Sequence, residues 1–387
     1  MPFFLWLALW SIAAFIAALG NWLATLARGR SPEGLHRFLA RYVRFATHAY
    51  AYVNLAAEPL PSFSGQSSYA VDVEIAPAER QNRWSVAFRG FLALPAALLA
   101  LVFVGSGVYV ASATFGLSTD FGLLGTCAFL GWFAALVRAR MPGGLRDCVV
   151  WSVGFGAQLW AYLLVLTSAY PDPDPAVALG ELPRRSDPVG FAAGGDLRRS
   201  RLTVFFRLPL AVPHLVWLAL WSVVALLAAI ANWVATLAQG RSPAPLHRFL
   251  SAYLRYQAHV YAFLWLIGNR FPGFVGAAGS YDAEAAIAPP QAQNRWSVGF
   301  RLLLVLPAWF LASAFGSLLW TCAFLAWFAA LVTGRMPRGL LNAAAQALRY
   351  TLQVSGYVLV LSDAYPYSGP CHQEAAGPPP AAEPAVG

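Results

Sequence analysis

The chain has 387 residues, of which 59% are hydrophobic and only 11% charged, with a mean hydropathy of +0.56. A soluble domain is nearer a quarter charged and less than half apolar, so this composition excludes an ordinary soluble fold and makes the bilayer the solvent to reason with. All 26 basic residues are arginine and the net charge is +9; because they cluster at the ends of apolar blocks, they point to membrane anchoring on anionic lipid headgroups and not to nucleic acid. The four cysteines, Cys127, Cys148, Cys322 and Cys371, are too few and too scattered for a disulfide framework or a zinc site.

In chain order, residues 3–26 form the first apolar block, with no preceding basic stretch and no small-residue cleavage site, and predict a retained spanning helix. At its end begins a motif, Trp-x-Ala-x-Leu-x-x-x-Arg-x-Pro-x-x-Leu, that recurs four times, from Trp22, Trp132, Trp233 and Trp327. In every copy the motif proline stands 29 residues before a closing proline: Pro32 and Pro61, Pro142 and Pro171, Pro243 and Pro272, Pro337 and Pro366. Self-similarity at this level marks a repeat architecture. Units one and three share Asn21/Asn232, His36/His247 and His48/His259 at an offset of 211, while units two and four share Gln81 to Val86 with Gln293 to Val298. An ancestral two-unit gene was therefore duplicated whole.

Units two, three and four open with a lead-in, Arg-x-[Ser/Thr]-Val-x-Phe-Arg, with a proline six residues after it: Arg83 to Pro95, Arg201 to Pro213, Arg295 to Pro307. Unit one has none, and Pro2 aligns with Pro213, so either the true start lies upstream or the gene has lost its front. From this second proline to the motif tryptophan there are 20 residues in units one, three and four but 37 in unit two, an insertion of 17 that contains Gly105-Ser106-Gly107 and Ser118-Thr119-Asp120. A single helix across Pro95 to Val137 would be about 64 Å long, twice a bilayer core. The chain must break between Gly105 and Gly122.

Each unit thus predicts a helix A of some 25 residues, about 37 Å, an Arg-x-Pro corner, and a helix B, with the lead-ins at the membrane interface. The expected fold is an all-α polytopic membrane protein of four tandem two-helix units, with about eight membrane helices and an extra break or re-entrant segment in unit two. The boundaries are 1–63 for unit one, 70–171 for unit two, 172–195 for a linker, 197–274 for unit three, 281–367 for unit four and 369–387 for a disordered tail. Val71 to Ile75, between units, is a short alternating strand candidate. With one crossing per helix, 12 arginines face 14 across the membrane, so the positive-inside rule does not choose an orientation and re-entrant A segments stay open.

The runs Arg201 to His214 and Trp327 to Leu340, with Tyr357 to Pro366 closing a unit, resemble a family of bacterial integral membrane proteins, common in actinobacteria, the domain-of-unknown-function family four-three-eight-nine. The resemblance implies tandem membrane units over nearly the whole chain and supplies no activity and no catalytic residue.

The residues themselves suggest two candidate sites. Arg30, Arg140, Arg241 and Arg335, with Pro32, Pro142, Pro243 and Pro337, form structural corners, their guanidinium groups expected on helix C-terminal carbonyls or on phosphates. Asn21, Asn232, His48 and His259 form a candidate intramembrane polar site, with glue between helices as the bland reading and a solute contact or proton-sensitive gate as the sharp one. Each of these histidines is expected beside the arginine one turn before it, Arg44 or Arg255. In unit four Asn342, Gln346, Arg349 and Gln353 make a polar stripe that would line an aqueous groove or lie at the interface. No carboxylate pair, activated nucleophile or phosphate loop is present, and no catalytic, cofactor or metal site is expected. The reading is a non-enzymatic, multi-pass scaffold or accessory subunit of the cell membrane, whose partners are the lipid bilayer, its anionic headgroups and a membrane protein, with no nucleic acid. The alternative is a small-solute, ion or lipid transporter or channel built from two homologous halves.

Overall fold

The computed structural model describes residues 2–66, 69–105 and 121–373. The chain is mostly helical and divides into two compact halves, Met1–Glu181 and Leu182–Gly387. In the first half, unit one supplies α1 (Pro2–Arg28) and α2 (Glu33–Val53). The lead-in of unit two folds as two short helices, α3 (Arg83–Ala87) and α4 (Arg89–Leu92), and is followed by α5 (Leu94–Val104), α6 (Gly122–Arg138), α7 (Gly143–Leu163) and α8 (Pro175–Leu179).

The second half opens with β1 (Arg184–Arg185) and β2 (Val189–Ala192). Unit three follows as α9 (Arg201–Phe205), α10 (Arg207–Gln239) and α11 (Ala244–Leu264), then β3 (Glu284–Ile287). Unit four is α12 (Arg295–Gly299), α13 (Arg301–Leu304), α14 (Leu306–Thr333) and α15 (Arg338–Val358), and β4 (His372–Gln373) ends the described chain.

The four A-to-B corners share one construction. Helix A stops at a left-handed residue, Gly29, Ala139, Gly240 or Gly334, the conformation that glycine adopts without cost. Two residues after the corner arginine stands the motif proline, which is the N-cap of helix B in extended backbone with φ between −59° and −61°. Proline has no N–H to lose there and its ring fixes that φ. Within each half the two B helices pack on each other, α2 on α7 and α11 on α15, and each A helix packs on its own B helix. Leu39 and Val43 of α2 meet Ala157 and Ala161 of α7 in one such core.

Among the described residues, three helices are long and apolar enough to cross a membrane: Leu5–Arg28, Arg207–Gln239 and Leu306–Thr333. Even the shortest, 24 residues, spans about 36 Å against a hydrocarbon core of about 30 Å. The B helices, 21 residues each, are long enough, but α2 carries Arg37, Arg41 and Arg44, and all four bury much of their surface inside their own half. So of the eight or so membrane helices expected, three meet both criteria.

Unit two lacks a long A helix because its insertion splits it. α5 and α6, with 11 and 17 residues, stand where unit four has the single 28-residue α14. Gly122, at φ +58°, lies so close to Gly105 that a Cβ would overlap the Gly105 backbone nitrogen, so the chain leaves and re-enters the helix line at one point. The expected loop tip, Ser118-Thr119-Asp120, lies outside the described residues.

Three expectations about the connecting segments need correction. Val71 to Ile75 is not in a strand; the equivalent stretch in the second half becomes β3 because β2 pairs with it antiparallel, Val189 opposite Ile287. The segment read as a linker contains α8, β1 and β2. Residues 369–373 do not belong to a tail, since β4 pairs in parallel with β1 and Gly369 O accepts from Arg349 Nη2 at 2.7 Å.

Candidate functional site

The densest polar chemistry lies at the C-terminal ends of the B helices. Each helix is turned out of line by a left-handed residue that is not glycine: Leu55 (φ 63°), Val165 (62°), Leu266 (64°) and Val360 (59°). Such a residue costs about 1–2 kcal/mol and persists where the surroundings hold it. At the end of α7 the backbone closes with Val165 N donating to Tyr162 O (3.1 Å) and Leu166 N to Ala161 O (2.9 Å), and side chains from other elements take up further carbonyls.

Asn21 Nδ2 donates to Leu164 O (2.9 Å), Gln81 Nε2 to Val165 O (3.1 Å), and Arg89 Nη1 to both Tyr162 O (2.9 Å) and Thr167 O (2.8 Å). His36 Nε2 lies 3.2 Å from Leu166 O. The end of α15 repeats the pattern: Asn232 Nδ2 to Leu359 O (3.0 Å), Gln293 Nε2 to Val360 O (2.9 Å), and Arg301 Nη1 to Tyr357 O (2.9 Å) and Ser362 O (2.7 Å). At the end of α11, Arg207 Nη1 reaches Phe263 O and Gly268 O, while Arg199 Nη2 reaches Leu266 O (3.1 Å) and Ile267 O (2.9 Å).

The last arginine of every lead-in is therefore not an interfacial anchor, as the sequence suggested. Arg89, Arg207 and Arg301 are buried, and each guanidinium stacks over a ring of its own B helix, Tyr162, Phe263 or Tyr357. Burial pushes the pKa of Arg89 and Arg301 down. The guanidinium lies on the partial negative charge of a helix C-terminus, and its planar fork can serve two carbonyls at once.

Asn21 and Asn232 are fully buried. Besides holding the end of the neighbouring B helix, each amide oxygen accepts from a corner serine, Ser31 Oγ at 2.5 Å and Ser242 Oγ at 2.6 Å. His48 and His259 are held elsewhere and share no hydrogen-bond partner with the asparagines. His48 Nε2 is 2.8 Å from Asp72 Oδ1, and Arg44 Nε is 3.2 Å from the same oxygen, so Arg44 and His48 meet through a carboxylate. His259 Nε2 is 3.3 Å from Glu284 Oε2. Tyr69 and Tyr281 lie against the two imidazoles at 4.7 and 5.0 Å. The four residues read as one polar site are thus two pairs with different work.

The corner arginines also differ from expectation. Arg30 Nε donates to Ala78 O (3.2 Å) and Arg241 Nη2 to Pro290 O (2.9 Å), which are loop carbonyls and not helix ends. Their backbones form bridges with the stretch before a lead-in: Arg30 with Arg80, Arg241 with Ala292, Arg335 with Arg198. The motif tryptophan fixes the same lead-in from the other side, Trp22 Nε1 to Val86 O (2.9 Å), Trp233 to Val298 O (2.7 Å) and Trp327 to Val204 O (3.1 Å).

Among the described residues, the polar stripe of α15 is covered by other parts of the chain. Arg349 is buried and bonds Gln346, Gln353 and Gly369 O, while Gln353 Nε2 donates to Val189 O and Asp187 Oδ2, so β2 and the segment 369–373 lie over it. The sequence reading also passed over His214, whose Nδ1 is 2.8 Å from the Tyr256 hydroxyl in a pocket of Phe271 and Phe274. Among the described residues, no group of three or more histidine, cysteine or acidic side chains is placed to hold a metal ion.

The family model for a domain of unknown function, DUF4389, matches residues 1–65, 201–275 and 295–368. The chain belongs to this family. The matched segments are units one, three and four, whereas unit two, which carries the insertion, is outside them. Neither the curated proteins nor the solved structures gave a match.

Proposed function

We propose that this DUF4389 protein is a multi-pass protein of the cell membrane that acts without catalysis, as a scaffold or accessory subunit presenting its A helices to lipid and to a membrane-protein partner. The observation that carries this reading is where the polar side chains go. Asn21, Asn232, Gln81, Gln293 and the last arginine of each lead-in all bond backbone carbonyls at B-helix ends. The three spanning candidates leave most of their apolar surface uncovered, with 11%, 17% and 39% buried, as helices facing hydrocarbon do.

One observation favours a second reading, the holding or passage of an anionic lipid. A groove of about 980 Å³ beside α1 and α2 is lined by Trp6, Trp10, Phe38 and Phe63 together with Arg37 and Arg41. Guanidinium groups over an aromatic wall suit a phosphorylated headgroup with its chains.

Reconstitution separates the two. Purified chain in vesicles containing anionic lipid should leave ion gradients and lipid asymmetry intact, and the native protein should resist alkaline extraction from its membrane. Lipid scrambling that is lost in Arg37→Gln/Arg41→Gln would establish the second reading, and extraction at high pH would refute both.

A further inference from the structure

The groove beside α1 and α2 has a counterpart in unit three, built on the same scaffold. Trp6 Nε1 donates to Phe63 O (3.1 Å) and Trp217 Nε1 to Phe274 O (3.1 Å). Trp10 lies 6.2 Å from Phe38, and Trp221 6.1 Å from Phe249. The polar groups differ. Arg37 is matched by Arg248, but Arg41, Ser62 and Ser64 are replaced by Ala252, Gly273 and Val275. Unit three carries its lead-in, yet Trp217 and Phe274 are 44% and 47% exposed, against 43% and 44% for Trp6 and Phe63. The aromatic wall is therefore open with a lead-in in place, and what sets the groove of unit one apart is a second guanidinium and two hydroxyls.

Arg37 and Arg41 are four residues apart, hence on one face of α2 and about 6 Å from each other, and both are exposed. Among the described residues neither makes an ion pair, and no acid lines the groove. Ser62 and Ser64, whose hydroxyls meet at 2.8 Å, also line it. The next cation along that face, Arg44, is already tied to Asp72 at 3.2 Å, so an anion seated at Arg37 and Arg41 finds no further cation to move to. Two guanidinium forks with hydroxyls nearby suit a phosphodiester. The chemistry around them is that of lipid. α1 is only 11% buried over its apolar window, and Ala13, which lines the groove with Arg37, stands about 5 Å from the middle of the Leu5–Arg28 candidate span. A phosphate at that depth arrives with acyl chains and not as a free ion.

We propose that the groove of unit one holds a single anionic diacyl phospholipid, its phosphate at Arg37 and Arg41 with the hydroxyls of Ser62 and Ser64, its chains along α1, and that unit three, lacking three of these four groups, holds none. The inference rests on the second reading above and narrows it from holding or passage to holding.

The probe is phosphatidylglycerol titrated onto the full chain in a zwitterionic detergent, with native mass spectrometry counting bound lipid and tryptophan fluorescence giving the affinity. One lipid per chain is expected, displaced neither by phosphatidylcholine nor by inorganic phosphate in large excess; displacement by inorganic phosphate would show a free-ion site and overturn the proposal. Arg41→Ala, which installs the residue of unit three at an exposed position, should weaken binding at least about tenfold, the scale of one charge-assisted contact, at unchanged melting temperature. Ala252→Arg/Gly273→Ser/Val275→Ser should raise the count to two, since a Cβ at Gly273 meets nothing within 4 Å. No saturable binding by the wild-type chain would end the second reading and this inference with it. Saturable binding that Arg41→Ala leaves unchanged, a count that stays at one in the triple variant, or lipid scrambling by the reconstituted chain would leave that reading standing and overturn the inference alone.

Discussion

In the second half, units three and four make the same exchange in both directions. The corner of unit three holds the lead-in of unit four through Trp233 and Gly240, and the corner of unit four holds that of unit three through Trp327 and Gly334. In the first half the exchange runs one way: Trp22 and Gly29 hold the lead-in of unit two, while Trp132 is exposed. The second half also gains a clasp that its sequence neighbours provide, β2 on β3 and β1 on β4, with Asp187 between Arg185, Gln353 and Gln373. Among the described residues, then, both corners of the second half are covered by a lead-in and one corner of the first half is.

The largest effect should come from the buried arginines. Arg301→Met removes two carbonyl bonds and leaves Asp363, whose Oδ1 lies 2.8 Å from Arg301 Nη2, without its ion partner. Hydrogen bonds from a charged group are worth about 1.5–3 kcal/mol each, and the half-exposed Asp363 keeps its bonds from Asn294 and Ser297, so thermal unfolding in detergent should show the second half melting well below wild type through the lost carbonyl bonds. Arg89→Met should cost less, because Arg89 has no carboxylate partner among the described residues and the position matching Asp363, three before the closing proline, is Ser168. Equal losses at the two positions would show that the carbonyl bonds alone decide.

A smaller effect tests the corners. Ala139→Gly should stabilise the first half and Gly240→Ala should destabilise the second, each by about 1 kcal/mol, since only the backbone conformation changes sign of cost. Opposite shifts in melting temperature are expected; a stabilised Gly240→Ala would mean that the left-handed geometry is not what holds the corner.

The smallest effect is pH-dependent and confined to the clasp. Asp187 is partly buried, which by itself raises its pKa, but hydrogen bonds from Arg185 and Gln373 outweigh that and hold it below the ordinary aspartate value of 3.8. A depressed folded pKa means that its stabilisation is fully present above the unfolded value and is lost as pH falls through the folded one. Hydrogen exchange at Val189 to Ala192 should accelerate only below about pH 4, and Asp187→Asn should abolish that dependence.

Much of this was legible before any coordinates. The motif tryptophan and proline placed the four A-to-B corners, and each motif proline is the N-cap of a 21-residue helix. The split of helix A in unit two followed from length, because the 43 residues from Pro95 to Val137 cannot run as one straight helix through a bilayer. What misled was sign and scale. Arg89, Arg207 and Arg301 look like interfacial anchors because they neighbour apolar blocks, and nothing local says that each is folded back onto a helix end some 56 to 78 residues away. Their signal was present in the flanking Phe and Leu, which would place a guanidinium in an apolar setting, and in the unvarying distance to the next proline.

Periodicity and spacing are properties of the chain, and they determined the helices and the corners, since helix rise, proline geometry and apolar length act locally. Which carbonyl each polar side chain satisfies depends on elements distant in sequence being brought within 3 Å. Tertiary structure alone therefore decided that Asn21 holds α7 and that Asp72 joins Arg44 to His48. A buried polar group must find a partner, but the sequence does not say which.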